Sequence, residues 1–223
     1  MVESSSPGDP PPVDEVRLRL LDAAEEVFAE VGFAAATTRE ICRRAGMKNI
    51  GAINYYFQSK ERLYTEAVKH AMRTCTSGAP MPEWPPGTPP ERKLRDFIHT
   101  MMARMLEIPK ESSMNLMSRE MTRTRPSPVT IEVVHENIKP MADVLVAVLQ
   151  ELLPDVPFER RVLVGFSVVG QCLYYRQNRA VGEALFGADV VNTFGAAGIA
   201  DHIADLVLTG LGKPLAASRE AQP

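Results

Sequence analysis

Residues 77–90, SGAPMPEWPPGTPP, hold six prolines and two glycines, and neither a helix nor a central strand can run through them. Proline has no amide hydrogen to donate and its ring clashes with the turn before it, so the chain must be built as two stretches flanking this break. Both stretches carry apolar residues at helical spacing, and neither shows the every-second-residue alternation of a half-buried strand. The predicted fold is therefore all-α. With 45% hydrophobic residues in 223, the chain can bury a real core.

Ahead of the break, Leu20, Ala24, Val27 and Val31 recur on one face, Leu21 and Phe28 widen it, and Gly32 stands where a C-terminal cap is wanted. Thr37 and Glu40 form a T-x-x-E capping box for a short second helix that passes through Ile41 and Ala45 and stops at Gly46. Asn49 is placed to cap a third helix over Ile50 to Tyr56, and Ser59 a fourth from Lys60 to about Thr76. Beyond the break, Thr88 followed by Pro89, Pro90 and Glu91 predicts a helix over about 89–108. Further helices are expected at about 111–123, 128–153, 157–179 and 192–211, with Pro140 kinking or splitting the 128–153 segment. The expected organisation is a disordered tail at 1–12, a first helical domain at 13–60, a connecting helix at 61–76, the Pro-rich loop at 77–90, a second helical domain at 91–211 and a flexible tail at 212–223.

The start, MVESSSPGDPPPVDE, has no apolar run behind a basic patch, and no later segment offers about 18 uninterrupted apolar residues. A cytoplasmic protein without a membrane partner is expected. Cys42, Cys75 and Cys172 lie far apart, without CxxC or CxxxH neighbours, which argues against a zinc site or a disulfide framework. No GxSxG, Gly-rich phosphate loop, HExxH or recognisable acid pair is present, so no catalytic residue, metal or cofactor is assigned. A helical enzyme remains the competing class.

Charge is distributed unevenly. Total net charge is -3, yet residues 38–73 carry Arg39, Arg43, Arg44, Lys48, Lys60, Arg62, Lys69 and Arg73 against Glu40, Glu61 and Glu66, a local balance of +5. An acidic body with one basic segment suits a protein that meets phosphates at one place, although a solvated helix face would look the same. Within that segment the second and third helices are short and joined at Gly46, which is the arrangement of a helix-turn-helix whose third helix enters the major groove. If the third helix begins at Ile50, Ile53 and Phe57 point inward and Lys48, Asn49, Gly51, Ala52, Asn54, Tyr55 and Tyr56 take outward or flanking positions. Asn can pair with adenine through both ends of its amide, while Lys and Tyr can reach phosphate oxygens.

The run from Leu20 to Tyr64, LLDAAEEVFAEVGFAAATTREICRRAGMKNIGAINYYFQSKERLY, resembles the DNA-binding domain of the TetR family of bacterial transcription regulators. The segments REMTRTRPSPV and FSVVGQCLYYRQNRAV resemble the ligand-binding domain of the CecR-like branch. This resemblance implies a DNA-binding domain at 13–60, a ligand-binding and dimerisation domain at 91–211, and a homodimer that binds a double-stranded operator, most simply a repressor released by a small-molecule inducer. It places Thr38, Tyr56 and Lys60 on phosphates and Asn49, Ala52, Asn54 and Tyr55 near bases or backbone, with Arg39 and Lys48 completing the DNA-binding set. Members of the family usually have one residue fewer between Gly46 and the recognition helix, so the roles of Met47, Lys48 and Asn49 stay open. Asn54 stands where a tyrosine is frequent, which would exchange a phosphate contact for a base contact.

For the inducer, the methionines after the break read either as ordinary core or as the walls of an adaptable apolar pocket. Met101, Met105, Met117 and Met121 are the candidate walls, and Arg119, His135, Gln171, Tyr174 and Tyr175 the candidate polar groups. A DNA-binding dimer without an inducer is the alternative. For the dimer seam, Val162, Phe166, Val169 and Leu173 and, on the last helix, Ile199, Ile203, Leu206 and Gly210 fall at helical spacing.

Overall fold

The computed structural model describes residues 13–107, 110–125 and 127–212, so the expected tails at 1–12 and beyond 212 lie outside the described residues. The described chain is helical throughout, without strands, and the all-α expectation holds. It divides into two compact units, one of residues up to Thr74 together with Lys110–Val133, the other of Cys75–Pro109 together with the residues from Val134 on.

The first unit is built on α1 (Val13–Ala35), which buries Leu20, Leu21, Ala24, Val27 and Phe28. Gly32, at φ 75 and ψ 170, breaks the helix as its sequence position suggested, and a last turn follows before the chain leaves. That turn brings the Phe33 ring 5.0 Å from Tyr64, whose ring meets Phe28 edge-on at 4.8 Å. The short helices α2 (Thr38–Arg44) and α3 (Ala52–Phe57) follow, then α4 (Lys60–Ser77), which packs Leu63, Ala67, Val68 and Ala71 inward. Helix α6 (Glu111–Met121) lies along α1, with Leu116 and Met117 buried, and α7 (Pro128–Val133) ends the unit. Residues 110–133, which the sequence grouped with the C-terminal body, thus pack with the N-terminal helices.

Two buried carboxylates join these helices. Glu25 of α1 is fully enclosed and takes hydrogen bonds from Ser113 at 2.6 Å and from the His70 ring, with the Lys110 ammonium at 3.2 Å. Glu120 of α6 accepts from Thr130 at 2.6 Å, from Ser127 at 3.0 Å and from the Tyr64 hydroxyl, with Arg123 at 3.3 Å. Burial alone would raise the Glu120 pKa, but those donors and the Arg123 charge outweigh it and hold the carboxyl below its ordinary range.

In the second unit α5 (Pro90–Leu106) is the central helix, with α8 (Lys139–Leu152), α9 (Phe158–Gln177) and α12 (Ala196–Gly210) packed on it. Leu94, Phe97, Ile98 and Met102 of α5 form the core with Leu145, Leu149, Val168, Ala200 and Ala204. Gly165 of α9 faces Leu145 and Leu149 of α8, and a Cβ there would make ordinary contact at 3.5 Å from the Leu145 side chain. On the outside, Arg95 spans Asp201 and Asp205 of α12, and Lys93 binds Glu151 of α8 at 2.6 Å.

Several local expectations are corrected. Thr88 does not cap α5; its hydroxyl turns back to the Pro85 carbonyl at 2.8 Å and the N-cap position falls on Pro89. The interruption expected from Pro140 in the 128–153 segment is present, as a π-helical turn at Val134–Ile138 between α7 and α8, because Pro140 has no amide hydrogen for the carbonyl one turn back. Residues 180–191, where the sequence pattern predicts no helix, form α10 (Arg179–Phe186) and α11 (Ala188–Asn192), separated by Gly187 at φ 90. Neither buries a residue in the single chain. Ile199 and Ile203, expected at a dimer seam, are buried within the subunit instead. No helix among the described residues is long and apolar enough to cross a membrane.

Candidate nucleic-acid interface

The turn between α2 and α3 is made by backbone bonds. The Gly46 N–H donates to the Arg43 carbonyl at 3.1 Å and the Met47 N–H to the Cys42 carbonyl at 2.8 Å, a Schellman ending with Gly46 at φ 70 in the left-handed position. Further along the turn, Asn49 Oδ1 accepts from the Gly51 N–H at 2.8 Å. The lengthened turn is thus closed by an Asx-type bond, and α3 begins at Ala52 rather than Ile50. With its oxygen engaged, Asn49 acts here as a turn residue and does not offer both ends of its amide outward.

On α3 itself Ile53 and Phe57 are buried against the unit. The opposite row, Gly51, Asn54, Tyr55 and Gln58, falls at i, i+3, i+4 and i+7 and is exposed along its length, Tyr55 at 77%. Ala52 and Tyr56 flank this row half-buried, and the Tyr55 and Tyr56 rings stand edge to face at 4.9 Å. Gln58, which closes the helix at φ 67, is not among the residues the sequence points to; its side chain accepts from Arg62 at 2.6 Å. A positive φ outside glycine is uncommon, and nothing in the sequence pattern announces it. The Ser59 cap is present, its hydroxyl accepting from the Arg62 N–H at 3.2 Å.

The basic residues are not equivalent. Thr37 caps α2 by accepting from the Glu40 N–H at 3.2 Å, which leaves Thr38 half-exposed at the first helical position. Glu40 does not return the bond; its carboxylate holds Arg43 at 2.6 Å and Arg44 at 2.9 Å, and these hydrogen bonds bring its pKa down to about 2. Arg44 also bridges to Glu30 at 2.6 Å. Arg43 and Arg44 are therefore neutralised in place. Arg39 and Lys48 are exposed and form no ion pair among the described residues. Lys60 lies over the Phe33 ring at 4.5 Å, so its ammonium is held at the start of α4 rather than extended into solvent.

Residues 20–67 match the family described as bacterial regulatory proteins of the tetR type, and residues 90–212 match the C-terminal domain of the HTH-type transcriptional dual regulator CecR. The second match alone covers more than half of the chain. The chain belongs to the TetR family. The sequence is similar to the HTH-type transcriptional dual regulator CecR of Shigella flexneri, 51% identical over 51 residues, which are 23% of this chain and 22% of that protein. It is also similar to the HTH-type transcriptional repressor KstR2 of Rhodococcus jostii (strain RHA1), 38% identical over 66 residues, 27% of this chain and 32% of that one. The aligned segments thus span no more than about a third of either curated relative.

Solved TetR-family structures share the fold. The regulator PfmR from Thermus thermophilus superposes with a TM-score of 0.63 at 18% identity, over 90% of this chain and 97% of that one. A TetR-like regulator from Rhodococcus sp. RHA1 gives 0.60 at 17% identity, over 90% and 98%.

The residues expected to line a TetR-family effector pocket are divided between the two units. Met101, Met105, His135, Gln171, Tyr174 and Tyr175 belong to the second unit, and Met117, Arg119 and Met121 to the first. Met101, Met105 and Met117 are buried, whereas Met121, His135 and Tyr174 are exposed. The Arg119 guanidinium lies against Gly32, where a Cβ would come within 2.5 Å of it. Tyr174 and Tyr175 line a recess of about 240 Å³ with α10 and α11, and with Gln171 they also line a shallow groove beside His202 and Leu206. Asp22, Glu25 and His70 bring three possible metal-ligand atoms within 4.8 Å of one another, but the Lys110 ammonium already rests on both carboxylates and supplies the positive charge an ion would.

Proposed function

We propose that this protein is a homodimeric transcription regulator, acting as a repressor at a palindromic operator and released from it by a small molecule. The observation that carries the reading is the exposed row Gly51, Asn54, Tyr55 and Gln58 on a helix whose other face is sealed by Ile53 and Phe57. Such a helix spends its apolar side on its own domain and has a polar side shaped for a groove. Asn54 and Tyr55 would meet base edges, with Gly51 and Ala52 small enough to admit the helix. Thr38, Arg39, Lys48, Tyr56 and Lys60 would meet phosphates, and Asn49 would hold the turn that aims them. The relative KstR2 is a transcriptional repressor, which supports the sign of regulation, and the relative CecR is a dual regulator, which admits activation at some sites.

Leu163, Phe166 and Leu173 of α9 and Leu206 of α12 are exposed apolar residues in the single chain, which supports a two-fold seam formed by these helices. A dimer would set two recognition helices about 34 to 36 Å apart, one helical turn of DNA. An effector in the second unit would act along α4, which runs from one unit into the other.

Selection of bound sequences from a random duplex pool tests the reading. Wild type should enrich an inverted repeat, and Asn54→Ala should enrich a repeat altered within each half-site at unchanged spacing. Enrichment of no sequence by the wild-type protein would overturn it.

A further inference from the structure

Arg104 is the one buried cation of the second unit without an acid among the described residues. It is 9% exposed, its Nε donates to the Ala79 carbonyl at 2.6 Å, and Nη1 rests against the Met141 thioether. Its companions on α5 are all paired: Arg92 with Asp96, Lys93 with Glu151, Arg95 with Asp201 and Asp205. Burial pushes the Arg104 pKa down, with no carboxylate to oppose it. The only fully enclosed side-chain polar atom without a partner among the described residues is Arg161 Nε, so Arg104 Nη2, which also donates to no residue, opens on accessible space.

A buried guanidinium left in this state is costly, and proteins keep such a group where something else supplies the charge. Three methionines stand close by. Met101 and Met105 flank Arg104 at i-3 and i+1 on α5, both buried. Met141 stands on α8 shortly after the π-helical turn at Val134–Ile138, an irregularity that recurs at functional sites.

We propose that Arg104 is the counter-ion of an acidic small molecule, whose carboxylate spans the guanidinium fork and whose unbranched apolar body lies on Met101, Met105 and Met141. This rests on the reading of the second unit as an effector domain. The planar fork matches a carboxylate through two parallel bonds, and the thioether on Nη1 is a weak acceptor that a carboxylate displaces readily. One unopposed cation calls for a single negative charge, because the other cations of α5 are already paired. Methionine walls follow a flexible chain more easily than a rigid one.

Thermal melts of the full chain with hexanoate, octanoate, decanoate and dodecanoate, each beside its alcohol, provide the test. The acids should raise the melting temperature, with an optimum at one chain length and an affinity at least about tenfold above the matching alcohol, a difference of about 1.4 kcal/mol. Arg104→Met should melt at or above the wild-type temperature without ligand and lose the preference for acid over alcohol, whereas Arg104→Lys should keep part of it. Equal binding of acid and alcohol, no stabilisation by any of the acids, undiminished acid binding by Arg104→Met, or a ligand-free Arg104→Met that melts below wild type would each overturn the proposal. Acid binding that leaves DNA affinity unchanged would instead overturn the effector reading and leave the Arg104 site standing.

Discussion

The two units treat buried charge in opposite ways. In the first, Glu25 and Glu120 are sealed from solvent, and each is met by several donors from separate helices. In the second, Arg104 has a carbonyl and a thioether. A carboxylate with its donors in place ties helices together and makes the unit intolerant of change, while a guanidinium without an acid is a position whose stability depends on what binds there. The DNA-binding unit is thereby organised for rigidity, and the other unit keeps an unsettled charge at its core.

The largest effect should separate them directly. Glu120→Ala strands the donors of Tyr64, Thr130 and Ser127 and the charge of Arg123, and should cost about 3 to 5 kcal/mol in urea unfolding followed by circular dichroism, whereas Arg104→Met should cost nothing. Equal losses would erase the distinction. The same carboxylate predicts a pH dependence. Its folded pKa lies below the ordinary 4.5, so its contribution is complete above that value and disappears as pH falls through the folded pKa. Acid titration of the melting temperature should therefore be flatter for Glu120→Gln than for wild type.

A smaller effect is expected at Gly32. Its φ of 75 disfavours any side chain, and an added Cβ would displace the Arg119 guanidinium, so Gly32→Ala should destabilise by about 1 to 2 kcal/mol. An unchanged unfolding midpoint would show that the break in α1 relaxes freely. Smallest is Lys60→Ala, which removes an ammonium from the Phe33 ring at a cost of about 0.5 to 1 kcal/mol. If Lys60 leaves the ring for phosphate on binding, the salt slope of DNA affinity should also fall by about one unit. A lower stability with an unaltered slope would keep Lys60 as a clamp of the domain and remove it from the DNA contacts.

Much of the first unit was legible in the chain. Thr37, Gly46 and Ser59 punctuate it by local chemistry, through side-chain caps at one end and a left-handed glycine at the other, and each is where the sequence placed it. Gly51, Asn54 and Tyr55 of the outward row of α3 were legible too, since Ile53 and Phe57 declare the inner face, whereas Gln58 was not. The short helices α10 and α11 were missed: Ala180, Val181, Ala184 and Leu185 do fall at helical spacing, but no side-chain cap separates α10 from the helix before it, and α11 is too short for a period to show. The inward turn of Ile203 was also hidden, as helical spacing assigns a residue to a face without saying what covers that face.

What the sequence determined by itself is therefore the helical content, the break at 77–90, the helix-turn-helix and the residues it turns outward, all products of forces acting within a few residues. Nothing in the sequence pattern singled out Glu25, Arg104 or Glu120 as charges that would be buried. Only the tertiary structure decided their fates. Glu120 meets Tyr64 from 56 residues away and Glu25 meets Ser113 from 88, while no acid among the described residues reaches Arg104. Periodicity fixes which side of a helix is buried, but which partner waits there depends on how distant helices pack, and no local pattern carries that information.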